Sequence, residues 1–85
     1  MPEISRFLGI VIRMYYRERE AAHFHARYGE HAIVVDLSTG AVVGHFPPRA
    51  LRHVLEWYAL HQAELLEDWR LAARQEPLRS IEPLE

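Results

Sequence analysis

The 85-residue chain is 49% apolar and 26% charged with a net charge of −2, the proportions of an ordinary globule rather than a disordered or fibrous chain. No apolar run reaches the roughly 20 residues of a membrane span, and the lack of cysteine excludes disulfides and thiolate metal sites. The slight acidity argues against gripping nucleic acid by bulk charge, although all ten basic residues are arginine, a side chain suited to local anion binding.

A chain this short makes one domain with one modest core. Met1-Pro2-Glu3-Ile4 has neither the positive nor the apolar region of a secretory leader, so a cytoplasmic protein is expected. Phe7 to Tyr16 is a β-branched and aromatic run and predicts the first strand. Its even positions Leu8, Ile10, Ile12, Met14 and Tyr16 should face the core, and Gly9 marks a bulge or a close backbone approach. Arg17 to Ala22 is charged without an apolar period and predicts a solvated loop.

His23 to Tyr28 predicts the second strand. Strand side chains alternate faces, so His23, His25 and Arg27 share one side and Phe24, Ala26 and Tyr28 the other. A Gly29-Glu30 turn leads to a third strand, His31 to Leu37, with Ile33, Val35 and Leu37 inward. Ser38-Thr39-Gly40 is turn chemistry, and Ala41 to Phe46 is a fourth strand stopped by Pro47-Pro48.

Proline also starts helices. From Pro48 to about Arg74, Leu51, Val54, Leu55, Tyr58, Leu65, Leu66 and Trp69 recur at three and four, interrupted only by Gln62. One long amphipathic helix of about 35–40 Å is predicted, with Trp57, Leu60 and Leu71 as a thinner second stripe. Residues 76–85 form an extended tail. The expected architecture is α+β, a four-stranded antiparallel meander backed by one helix. Its open face carries Arg13, Tyr15, His23, His25, Arg27, Asp36 and His45.

That face admits two chemistries, and a third reading leaves it idle. Two histidines at i and i+2 on a strand lie about 6–7 Å apart and can converge on a divalent metal, with Asp36 or His45 as third ligand. Alternatively, cleavage of RNA through its own 2′-hydroxyl needs a base, an acid and a cation for the phosphate. His23 and His25 fit the first two roles, Arg27 and Arg13 the third, and Tyr15 can stack on a base. The third reading has no chemistry on the sheet. A partner-binding module would bury Trp57, Leu60 and Leu71 against another chain.

Several stretches together resemble a known family. They are Pro2 to Phe7, Gly9 to Tyr16, His23-Phe24-His25-Ala26-Arg27-Tyr28-Gly29-Glu30, Pro48 to Leu51, Leu65 to Trp69 and Ile81 to Leu84. The family is the domain of unknown function 4160, small bacterial proteins with a His-Phe-His-Ala-x-Tyr-Gly-Glu motif. Its genes often adjoin one for another small domain, so the resemblance implies a two-gene pair of toxin–antitoxin type. It carries over His23, His25, Arg27 and Tyr28 as site residues. Family members usually place a further histidine and proline before the motif; Arg19-Glu20-Ala21-Ala22 stands there instead and removes the most natural third imidazole.

The leading expectation is a toxin-like protein acting on RNA or a cellular partner through His23, His25, Arg27 and Tyr28, supported by Arg13 and Tyr15. Whether that face is catalytic stays open. Its expected partner is the small protein encoded next door, with no membrane association and no cofactor beyond a divalent metal on His23, His25 and Asp36. A homo-oligomer is compatible with the sequence.

Overall fold

Leu8 and Gly9 both take positive φ, 51° and 79°, so the first apolar run cannot continue straight through them. Two left-handed residues in succession make a type I′ turn, whose twist suits a two-residue hairpin. Phe7 therefore pairs with Ile10, and the single strand expected over 7–16 is a hairpin of β1 (Glu3–Phe7) and β2 (Ile10–Arg13). The computed structural model describes residues 2–16 and 21–84. The loop expected at 17–22 lies largely outside them.

Three further strands follow, β3 (His23–Tyr28), β4 (His31–Asp36) and β5 (Val42–Gly44). Among the described residues the five form one antiparallel sheet in sequence order. The chain is thus α+β as expected, with five strands in place of four. The register of β1 shifts between Glu3 and Ser5. This bulge turns the consecutive residues Ile4 and Ser5 both inward, where each is buried.

Pro48 opens α1 (Pro48–Leu60), and α2 (Gln62–Ala73) follows after a break at His61. The expected long helix is therefore two. The break falls beside Gln62, the residue that interrupts the apolar stripe. The His61 N–H reaches both Trp57 O and Tyr58 O, and its Nδ1–H donates to Glu64 at 2.5 Å. The stripes before and after the break can then meet different parts of the core. Helix α1 buries Ala50, Val54, Trp57 and Tyr58, and α2 buries Leu65, Asp68, Leu71 and Ala72.

The core lies between the helices and one face of the sheet: Ile10, Ile12, Phe24, Ile33 and Val35 from strands, Met14 just past β2, and Val54, Trp57 and Leu65 from helices. Trp57 is its centre, with ring centroids 5.4 Å from Phe7 and 5.7 Å from Phe24. Large side chains of this kind contribute about 1.5–3 kcal/mol each on burial.

The segment after α2 straps back across the edge of β1. Ile81 N–H donates to Ile4 O at 2.7 Å, and the Ser5 hydroxyl donates to Ile81 O at 3.0 Å. Trp57 Nε1–H reaches Glu82 O at 2.8 Å, and Arg79 N–H reaches Asp68 Oδ1 at 2.9 Å. One exposed edge of the sheet is thereby covered.

Candidate functional site

Alternation along the strands builds two rows on the sheet face away from the helices. One runs Arg6, Val11, Arg27, Ala32, and the other Glu3, Arg13, His25, Val34, Val43, each residue paired with the next across neighbouring strands. Between the rows is a shallow trough of about 190 Å³ lined by Val11, Arg13, Tyr15, His25, Arg27, Val34 and Val43 among others. Tyr15 lies edge-on to His25, with ring centroids 4.5 Å apart. Arg13, Tyr15, His25 and Arg27 are thus brought together as the sequence led one to expect.

The charges are unevenly committed. Arg6 grips Glu3 with two bonds of 2.9 and 3.0 Å. That contact holds the Glu3 carboxyl below its ordinary range, chiefly through the Arg6 hydrogen bond, with a smaller Coulombic pull from Arg13. Arg27 makes only a long 3.3 Å contact to Gly29 O through Nη1 among its described hydrogen bonds. The Nε–H of Arg13 is enclosed with no acceptor among the described residues. Two guanidinium groups thus border the imidazole with donor capacity to spare. Arg6 was not anticipated on this face, because residues 2–6 carry too short a pattern to reveal β1.

The remaining expected residues are placed elsewhere. His23 shares the parity of His25 but is only 7% exposed. Its Nδ1–H donates to Ala21 O at 2.7 Å, and its ring packs 5.2 Å from that of Trp69 on α2 and 5.1 Å from His25. Burial against Trp69 leaves His25, which is half-buried, as the more accessible imidazole of the pair. Tyr28 lies on the opposite face of β3, 6.1 Å from Phe46, in a separate groove with Leu8, Pro47 and His53. Strand alternation keeps it out of the trough.

Asp36 does not complete a metal set with His23 and His25. Its Oδ1 accepts from Ser38 Oγ, Ser38 N and Thr39 N at 2.8–3.0 Å. These bonds, the Ser38 hydroxyl foremost, lower its pKa. Among the described residues no three His, Asp or Glu side chains are arranged to hold a metal ion. His45 also leaves the open face. Gly44 before it has φ of 110°, which breaks the alternation, and the His45 ring turns to His31 instead.

The proposed docking stripe dissolves for a different reason. Trp57 is fully buried and Leu71 nearly so, while only Leu60 stays exposed. The break at His61 and the strap bring the first two inside, so neither is available to another chain in this fold.

A family model described as Domain of unknown function (DUF4160) matches residues 9–70. The chain belongs to the DUF4160 family. The DUF4160 match takes in β2 through most of α2, and with them the residues of the trough. It leaves β1 and the strap outside, the two segments that fasten to each other. No curated protein and no solved structure gives a significant match. No helix among the described residues is long and apolar enough to cross a membrane.

Proposed function

We propose that this DUF4160 protein binds single-stranded RNA in the open trough and acts as the toxin-like member of a two-gene pair. The observation that carries this reading is the grouping of Arg13 and Arg27 around the Tyr15–His25 pair on one sheet face. Guanidinium groups contact phosphate oxygens through parallel donors, and aromatic rings on a sheet give unstacked bases a surface to lie against. A duplex offers no such bases. His25 is the one imidazole of the pair placed to reach a ligand, which favours binding over two-residue acid–base cleavage.

The test is fluorescence anisotropy with a labelled single-stranded oligoribonucleotide across a salt series. Two phosphate contacts give a slope of log affinity on log salt of about −1.4, and Arg27→Ala reduces its size by about 0.7. An Arg13→Ala, Arg27→Ala double variant that binds as tightly as the parent removes the trough from the reading. The biological half is tested separately by inducible expression with and without the adjacent gene product. Growth arrest that needs Arg13 and Arg27 and is relieved by the neighbour supports it; absence of arrest under all conditions discards the toxin role.

A further inference from the structure

The two strands at the uncovered edge of the sheet end in a second histidine pair, away from the trough. His31 opens β4 and His45 follows β5, and their ring centroids lie 5.7 Å apart at an interplanar angle of 65°. Neither residue lines the RNA trough. Among the described residues no hydrogen bond or ion pair engages either imidazole, in contrast to His23 and His25. His45 is exposed and His31 half-buried.

The backbone is specialised to bring these rings together. Gly44 takes φ of 110°, and a Cβ there would stand 2.6 Å from Ala32 O, well inside contact distance. Only glycine lets the end of β5 approach β4 this closely in that conformation. The next side chain, His45, is then carried out of its alternating position and onto His31.

We infer that His31 and His45 form a binding site for a divalent transition-metal ion of the zinc class. Two imidazoles bound to one ion at the usual zinc–nitrogen length of about 2.0–2.1 Å hold their ring centres roughly 5–6 Å apart, which the observed spacing already meets. Imidazole nitrogen suits zinc, nickel and copper, whereas magnesium prefers oxygen. Water would fill the other coordination positions, since no third ligating side chain among the described residues stands beside the pair. Because the ligands come from both β4 and the segment after β5, the ion would fasten the short edge strand to its neighbour.

The test is isothermal titration of tag-free protein with Zn²⁺, with Mg²⁺ as control. One site is expected for zinc and none for magnesium. Outer-shell changes around bound metals cost about 10–100-fold in affinity, so loss of a direct ligand in His31→Ala or in His45→Ala weakens binding by at least about as much. Circular dichroism confirms that both variants keep the fold, and His45→Gln supplies a second, less disruptive substitution. The His25→Ala variant retains the site. Three results each overturn the inference: no zinc binding by the parent, binding that survives the His31→Ala, His45→Ala double variant, or binding lost in His25→Ala.

Discussion

Asp68→Asn should make the protein more stable at neutral pH. The Asp68 side chain is only 1% exposed. One carboxyl oxygen accepts the Arg79 N–H of the strap, and the other has no hydrogen-bond partner among the described residues. Burial raises the pKa, which the Arg79 N–H bond and the Arg79 charge partly oppose and the Glu67 and Glu64 charges reinforce. A group whose folded pKa exceeds its unfolded value contributes stability that is full below the unfolded pKa and is lost as pH rises through the folded one. The wild-type protein should therefore be favoured by acid on this account and forfeit that contribution toward neutrality. Asparagine keeps an acceptor for Arg79 and carries no charge at any pH. A buried group without a partner costs more when it is charged; the asparagine Nδ2 takes over the unpartnered position, so the gain comes from removal of the charge alone and is about 1 kcal/mol. In a domain of this size that corresponds to a rise in melting temperature of about 4–8 °C per kcal/mol. Thermal unfolding of both proteins from acidic to neutral pH gives the difference directly: small in acid, widening as pH rises. If Asp68→Asn is instead less stable at neutrality, the bond from Arg79 to a carboxylate outweighs desolvation and the reasoning fails.

Trp57→Ala removes the ring between Phe7 and Phe24 and the bond to Glu82 O, and should cost about 3–5 kcal/mol in urea unfolding; a loss below 1 kcal/mol, on the order of a surface substitution, would show that Trp57 is not central. Leu8→Asn places a residue that tolerates positive φ at an exposed position with φ of 51°. Stabilisation of about 1 kcal/mol should follow, and a lowered unfolding midpoint would show that the leucine side chain matters more than its backbone. Gly44→Ala meets both the positive φ and the Ala32 carbonyl, so it should destabilise by about 1–3 kcal/mol and speed amide exchange in β5 first.

The central strand was readable because its two faces differ so plainly in chemistry. Period two in His23 to Tyr28 separates polar from apolar side chains, and the same argument places Arg13 and Tyr15 beside them. The hairpin was hidden because Leu8-Gly9 replaces the Asn-Gly or Asp-Gly that usually announces a type I′ turn, and Phe7-Leu8 before the β-branched Ile10-Val11-Ile12 reads as part of one strand. The helix break left one trace, Gln62 in the apolar stripe, but His61 is neither glycine nor proline and its backbone geometry is set by tertiary packing. Trp57 looked like part of a second surface because its partners, Phe7, Phe24 and Glu82 O, all lie far away along the chain. His23 shares the parity of an open-face residue, yet Trp69 of α2 packs against it, a contact no strand pattern contains. Motif membership alone placed Tyr28 in the site, against the alternation that the same six residues display.

The strap has a consequence for how the chain becomes a sheet. The bond between Ser5 and Ile81 spans 76 residues, whereas the hairpins of β1 to β5 join neighbours in sequence. Local pairings form early because little chain must be closed, and distant ones wait. During synthesis β1 is made before the other four strands, yet its outer edge lies open until residue 81 has emerged and folded back. A growing chain would therefore pass through a stage with a complete meander whose β1 margin is as open as that of β5. That interval is when a nascent molecule is most exposed to pairing with another, and when a protein binding the Ile4 edge would have its only uncontested opportunity.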